Sequence, residues 1–443
     1  GVAVAVGAGI FSVGAQAAAF HAGPAVIISF LIAGIVCGAA VMCYAEFASM
    51  IPVAGSAYTF TYTTVGEIMA WIIGWDLILE MLMAGSVISK YWGVYLNDFM
   101  RLMGWNANTN LTFGSFHIDI APIIIVAFFT TLLVFGTKTG ARVDGAMTVL
   151  KIAIVFFVVI VGFFYVKASN FTPFIPPSQP ASTVEGSSAV TGVMTQPLWQ
   201  FATGMTPSVY GVPGILSGAA LVFFAFIGFD VVATASEETK NPHKNVPLGI
   251  GVGMLLIIVM YMLVAVVTTG MVSYADLAKQ DSPSLATAFE LVGADWAAKI
   301  ISFGIVLGLA TVVMVLLLGL TRIVFAMSRD GLLPRGLSKT GKHGTPAALQ
   351  IVVGAVVALV AAFFDIGVLS DMVNIGTLSA FTLVAISIPI MRKKRPDLPR
   401  AFKMPGSPWI PILIAVANFW LMLNLSVLTW IRFVVWLVVG FAI

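Results

Sequence analysis

Apolar stretches long enough to cross a bilayer follow one another along the whole 443-residue chain, and this recurrence leaves few folds open. A hydrocarbon core about 30 Å thick takes about 20 apolar helical residues per crossing. A window of that length gives twelve expected spans, at 1–20, 24–46, 67–96, 119–136, 144–166, 214–236, 247–270, 296–327, 346–364, 369–391, 408–428 and 430–443. Composition agrees: 22 Lys and Arg plus 19 Asp and Glu make 41 charged residues, or 9%, where soluble domains carry about 25%. Apolar residues reach 60% and mean hydropathy is +1.04. A soluble protein of this size has too little interior for so much apolar surface, and a disordered chain would need more charge and fewer aromatics. The reading is an all-α integral membrane protein.

The first and last spans read as incomplete. Gly1 begins inside apolar sequence with no cytoplasmic lead-in, and the final run reaches Ile443 after 14 residues, so both ends are expected to continue. A signal peptide is not the reading of residues 1–20, which have no basic lead and no small-residue cleavage site. Fourteen Lys and Arg fall on one side of the expected spans, among them Lys138, Lys240, Arg329 and Arg392–Arg395, against five on the other: Arg101, Lys167, Lys279, Lys299 and Arg432. The excess places the start of the chain in the cytoplasm. From Ala168 to Gly214 there is no Lys or Arg, as suits a long external loop. The chain has no basic face for nucleic acid. His21, His117, His243 and His343 fall in separate loops or helix ends, so no metal site is expected, and no cofactor either. Cys37 and Cys43 sit in one apolar run on opposite helix faces, where they read as small core residues.

Two spans carry interruptions. Gly7-Ala8-Gly9 sets two glycines in the first, and Phe224-Ala225-Phe226-Ile227-Gly228-Phe229-Asp230 sets a glycine and an acid in the sixth. The two lie five spans apart, the spacing of two five-helix units related by inversion, and a proline-led helix follows each, at Pro24 and Pro247. A broken helix frees N–H groups on one half and C=O groups on the other, and these can hold a carboxylate and an ammonium. Both charges are common to every amino acid. A phosphate-loop reading fails, because neither a strand nor a Lys-Ser/Thr pair follows Gly9. Gly34, Gly38, Gly304 and Gly308 read instead as close helix packing.

Ionisable groups inside spans are costly and mark function by default. Lys151 lies seven residues, roughly 10 Å, into a helix starting near Asp144. Either its head snorkels to the surface, or it stays buried, where the charged form is costly, and gains and loses a proton during transport. Glu80 lies near mid-membrane with Asp76 one turn earlier, as a hydrogen-bonded structural acid or a proton relay. Asp230 either contacts a substrate cation or caps the second half-helix. Glu237 and Glu238 close the sixth span at its edge, and Phe224 is placed to act as an aromatic lid.

Several long stretches then carry a resemblance. Tyr44–Tyr58, GWDLILE (Gly74–Glu80), FFAFIGFD (Phe223–Asp230), EETKNPHKNVP (Glu237–Pro247), RDGLLPR (Arg329–Arg335) and RPDLPRAFKMPGSPW (Arg395–Trp409) occur in order along nearly the whole chain. Together they resemble amino acid–polyamine–organocation permeases, in particular the bacterial-type members of the cationic amino acid transporter branch. The resemblance implies a LeuT-type five-plus-five inverted repeat with broken helices 1 and 6 and two extra helices. It divides the chain into a first repeat at 1–166, an external loop at 167–213, a second repeat at 214–391, and helices 11 and 12 at 392–443. It implies that Gly7, Ala8, Gly9 and Ile10 meet the substrate carboxylate, that Phe224 is the gate, and that Ala225, Ile227 and Asp230 line the amino-group side. Lys151 aligns with a fifth-helix lysine that stands where sodium sits in sodium-driven relatives. Glu80 joins it as a proton-coupling residue, and Met314 limits side-chain size. Lys90 departs from the pattern, standing where relatives usually have a small residue.

The expectation is a multi-pass plasma-membrane transporter, not an enzyme, that symports L-amino acids with protons by alternating access. Its partners are the amino acid, protons, the lipid bilayer and, as an open question, a small membrane subunit. A cationic substrate needs an acid for its side chain, for which Asp230 is the candidate; Phe224, Ile227 and Met314 suit alanine. An amino acid exchanger and a non-transporting sensor are the alternatives.

Overall fold

Helices dominate because a chain this apolar must bond its own backbone, and the computed structural model shows what they build. It describes residues 5–7, 9–50, 58, 61–62, 66–105, 109–113, 116–136, 140–183, 192–228, 241–280, 283–339, 345–397, 400 and 402–443. We call α1 the consecutive segments Gly9–Val13, Gly14–Ala17 and Ala18–Ala22, the first and last of them π-helical. Then follow α2 (Val26–Met50), α3 (Glu67–Leu102), α4 (Ile120–Phe135), α5 (Gly140–Phe163) and α6 (Gly211–Val222). The second half holds α7 (Pro242–Met271), α8 (Asp295–Arg329), α9 (Ala347–Phe363), α10 (Ile366–Lys394), α11 (Trp409–Leu423) and α12 (Val427–Ala442). Among the described residues, six stretches are long and apolar enough to cross a membrane: Gly9–Phe47, Glu67–Leu102, Gly145–Phe163, Leu248–Met271, Asp295–Arg329 and Ile366–Lys394. Shorter apolar helices of 10–17 residues accompany them.

Burial sorts these helices. In α3 and α10, 72% of the most apolar window is inside the protein, against 28% in α5. Thus α3 forms a central post, with α8 and α10 packed along it, while α5 keeps most of its surface for lipid. Trp75 of α3 stacks on Trp436 of α12 with centroids 4.5 Å apart. Each indole N–H donates to the other residue's carbonyl, at 2.8 and 3.2 Å, which docks the last helix.

Three sequence expectations change. The seventh helix is led by Pro242, whose missing N–H costs nothing at a first-turn position, so Pro247 lies inside it. The fifth begins at Gly140 rather than near Asp144, which sets Lys151 eleven residues, about 16 Å, from its start. Two small antiparallel pairings, Asn110–Phe113 with Phe116–Asp119 and Gln179–Pro180 with Ser208–Val209, also amend the all-α reading.

Candidate functional site

Both interrupted spans are interrupted in the structure. Ahead of α1, the chain bends at Val6 and Gly7, and the Gly7 amide donates to the Ala5 carbonyl at 2.8 Å. After α6, a 3-10 turn over Phe223–Phe226 leads to Ile227 in extended conformation and Gly228 at φ 88°, a region that favours glycine. Regular helix therefore stops at Val222.

The two breaks touch backbone to backbone. A Cβ on Gly9 would lie 2.2 Å from the Ala225 Cα and 2.5 Å from its Cβ, so only glycine fits there. Tyr261 of α7 ties them together: its hydroxyl lies 2.5 Å from the Ala5 carbonyl oxygen and 2.9 Å from that of Ala225. A phenol has one proton to donate, so it serves one carbonyl at a time. Further along α1, the Tyr95 hydroxyl donates to the Phe11 carbonyl at 2.6 Å, the Ser12 hydroxyl lies 3.3 Å from Tyr95, and the Tyr91 hydroxyl lies 3.4 Å from Gln16 Oε1.

Between the breaks is a cavity of about 20 Å³, lined by Ala5, Gly7, Gly9, Phe224, Ile227, Gly228, Ala84 and Ile88 of α3, and Leu316 of α8. That is room for about one water-sized molecule, so this conformation is closed around the site. Of the sequence-derived residues, Gly7, Gly9, Phe224 and Ile227 come together here, with Ala225 in contact behind them. Ile10 instead lines a neighbouring cavity of about 10 Å³ beside Phe30 and Thr268. Met314 is buried on α8, but Leu316 is the α8 residue in the lining. Ala8, Asp230, Glu237 and Glu238 lie outside the described residues.

The charged candidates lie deep. Lys151 is 1% exposed, which removes the snorkelling alternative. Asp76 and Glu80 are fully buried on α3; the Ser379 hydroxyl of α10 donates to Asp76 at 2.7 Å, and Gly376 packs against the backbone at Asp76 and Glu80. Lys90 has a structural task, pairing with Asp119 at 2.5 Å and donating to the Phe364 carbonyl at 2.8 Å. A wider cavity, about 610 Å³, lies apart from the breaks, beyond the end of α5, and is lined by Lys167, Asp276 and Lys279 among others. There the Lys279 ammonium, and after it the Ser273 hydroxyl, hold the Asp276 carboxyl below the usual carboxylate range.

Sequence reasoning missed Tyr261, Tyr91, Tyr95, Ala84, Ile88 and Leu316. A signal existed for part of the set. Ser12 and Gln16 on one helix, and Tyr91 and Tyr95 on another, are polar pairs at i,i+4 in apolar sequence, each making one polar face. Nothing in the chain marks Tyr261, 256 residues from the carbonyl it reaches.

The amino acid permease family model matches residues 1–443. The chain is similar to the branched-chain amino acid permease BcaP of Bacillus subtilis, with 42% identity covering 100% of this chain and 90% of the relative. It is also similar to the methylthioribose transporter of the same organism, at 38% identity over 99% and 89%. A third relative is the vacuolar cationic amino acid transporter 2 of Arabidopsis thaliana, at 36% over 90% and 59%. With its apolar helices, this makes the chain a multi-pass membrane protein.

Proposed function

Because the chain belongs to the amino acid permease family, we propose that it is a proton-coupled symporter of L-amino acids with small or branched apolar side chains, working by alternating access in the plasma membrane. The observation that carries this reading is the cavity at the two touching breaks, whose walls combine unwound backbone with Ala84, Ile88, Phe224, Ile227 and Leu316. Backbone N–H groups at the first break take the α-carboxylate once the Gly7 amide leaves the Ala5 carbonyl it bonds here, and carbonyls around Ala225 take the α-ammonium. The side chain meets only apolar groups among the described lining residues, so alanine or a branched-chain amino acid is favoured over a cationic one. The name of the BcaP relative points the same way.

The proposed frame is the five-plus-five inverted repeat, 1–166 and 214–391, with the start of the chain in the cytoplasm. Loading requires the closed cavity to widen, and Phe224 is the side chain placed to gate it. Lys151, wholly inside the protein, is the proposed proton-coupling group, with Glu80 as its partner in proton movement. Lys151→Ala keeps amino acid binding within about tenfold, since it contributes no lining atom, but abolishes proton-driven accumulation.

The test is uptake into liposomes bearing an inward proton gradient. Labelled alanine, leucine, arginine and methylthioribose are compared, with and without the gradient. Gradient-driven accumulation of alanine or leucine is the expected result. Uptake only into preloaded liposomes, indifferent to the gradient, would make the protein an exchanger. Preference for arginine would return Asp230 to the site, and preference for the sugar would remove the zwitterion from it.

A further inference from the structure

We propose that Gly308 of α8 is a positioning residue for Lys151, its missing side chain forming the seat in which the lysine stem lies. The proposal rests on the reading of Lys151 as the proton-coupling group.

Helices α5 and α8 pack together, and Lys151 is buried on that contact at 1% exposure. A Cβ on Gly308 would lie 3.0 Å from Lys151 Cγ, 3.3 Å from Cε and 3.6 Å from Cδ. Three successive stem carbons thus run across the bare Cα of one glycine. Such distances require the stem to give by a few tenths of an ångström, and the ammonium sits at the end of that stem. In a close-packed interior a displaced chain has few places to go. The α8 turn is itself pinned, since the Thr311 hydroxyl donates to the Gly308 carbonyl at 3.0 Å.

Two other glycines on α8 show that this seat is particular. At Gly304 an added Cβ would meet the tip of Ile154, an apolar group, at 2.1 Å. At Gly319 the nearest neighbour is Met81 Sδ at 3.5 Å, an ordinary contact. Gly304 and Gly308 therefore admit side chains of α5 rather than an opposing backbone, and only Gly308 admits one that ends in a charge. A proton-coupling group must be held where its two protonation states bond differently, and a groove one methyl deep fixes the stem without itself bonding the head.

The experiment compares Gly308→Ala, Gly319→Ala, Lys151→Ala and the double variant Lys151→Ala/Gly308→Ala in liposomes and by thermal unfolding in detergent. Labelled alanine and leucine are the probes, by gradient-driven accumulation and by exchange without a gradient. Gly308→Ala is expected to lower accumulation about tenfold, the size of a coupling between residues in contact, with the KM of exchange unchanged and Gly319→Ala like wild type. In the Lys151→Ala background, adding Gly308→Ala is expected to leave exchange unchanged and not to lower the unfolding temperature. Wild-type accumulation by Gly308→Ala overturns the proposal, as does an effect of Gly308→Ala that is the same size in both backgrounds. Wild-type accumulation by Lys151→Ala overturns the coupling reading instead, and the unfolding temperatures of the four proteins then still decide whether the stem sits on Gly308.

Discussion

At Gly9 the atoms that an added methyl would strike belong to the backbone of Ala225, which cannot rotate aside as a side-chain tip can. Gly9→Ala therefore has to push the two breaks apart, and overpacking of that kind costs about 1–3 kcal/mol. The expected result is loss of uptake together with a lower unfolding temperature. Gly85→Ala on α3 is the counterpart: its methyl would sit 3.5 Å from Val357, an ordinary contact, and in a helix alanine is favoured over glycine by about 1 kcal/mol. That variant should unfold no earlier than wild type and keep uptake; equal behaviour of the two variants would show that the breaks do not need each other's contact. The sequence announced Gly7 and Gly9 as points of freedom. The resemblance placed Ala225 at the same site, but its backbone contact with Gly9 was not legible, because nothing in the sequence sets the distance between two breaks more than two hundred positions apart.

At the scale of elements, α1 is fastened differently along its length. Its entry is held by Tyr261 of α7 and by the 3-10 turn, and its later part by Tyr91 and Tyr95 of α3. Tyr261→Phe removes the hydroxyl that reaches two buried carbonyls and leaves both to their other neighbours, at a cost of about 1–3 kcal/mol. A lower unfolding temperature and altered exchange kinetics are expected, with Tyr95→Phe lowering stability through the Phe11 carbonyl and the Ser12 hydroxyl. If Tyr261→Phe matches wild type in both measurements, the hydroxyl does not join the breaks. Most helices were legible to within a turn or two, because lipid and a dry interior impose apolarity over a fixed length, but the sixth, expected at 214–236, stops at Val222. Where capping chemistry rather than apolarity sets the boundary, as at Pro242 ahead of Pro247, the reading slipped by a turn. The pocket lining slipped for a related reason. Met314 and Leu316 are both apolar and two residues apart on α8, so only the rotation of the packed helix chooses between them.

Across the whole molecule, the long resemblance motif at Arg395–Trp409 finds a physical purpose far from the breaks. Glu46, near the end of α2, is fully buried. Arg392 of α10 grips it with two bonds, Nε to Oε1 at 2.9 Å and Nη2 to Oε2 at 2.6 Å. The Met404 amide adds a third at 2.8 Å, and Arg400 Nε stands 3.7 Å away. The same Arg392 donates to the Met404 carbonyl at 2.7 Å. One carboxylate thus closes α2 onto α10 and onto the strap that leads to α11, joining residues 346 and 358 positions away along the chain. Removing one partner of a fully buried pair costs about 3–5 kcal/mol, and the cost here is lower, because Arg392 is 26% exposed and Arg400 stays near the Glu46 carboxylate. Glu46→Gln keeps the shape and loses the charge, and Arg392→Lys keeps the charge and loses the fork that meets both oxygens. Both are expected to lower the unfolding temperature, Glu46→Gln the more. In a double-variant cycle of Glu46→Gln with Arg392→Ala, the two losses should fall well short of additive, since either one already opens the clasp. Additive losses would mean that the two residues stabilise the protein separately, and that the strap is held by something other than this carboxylate.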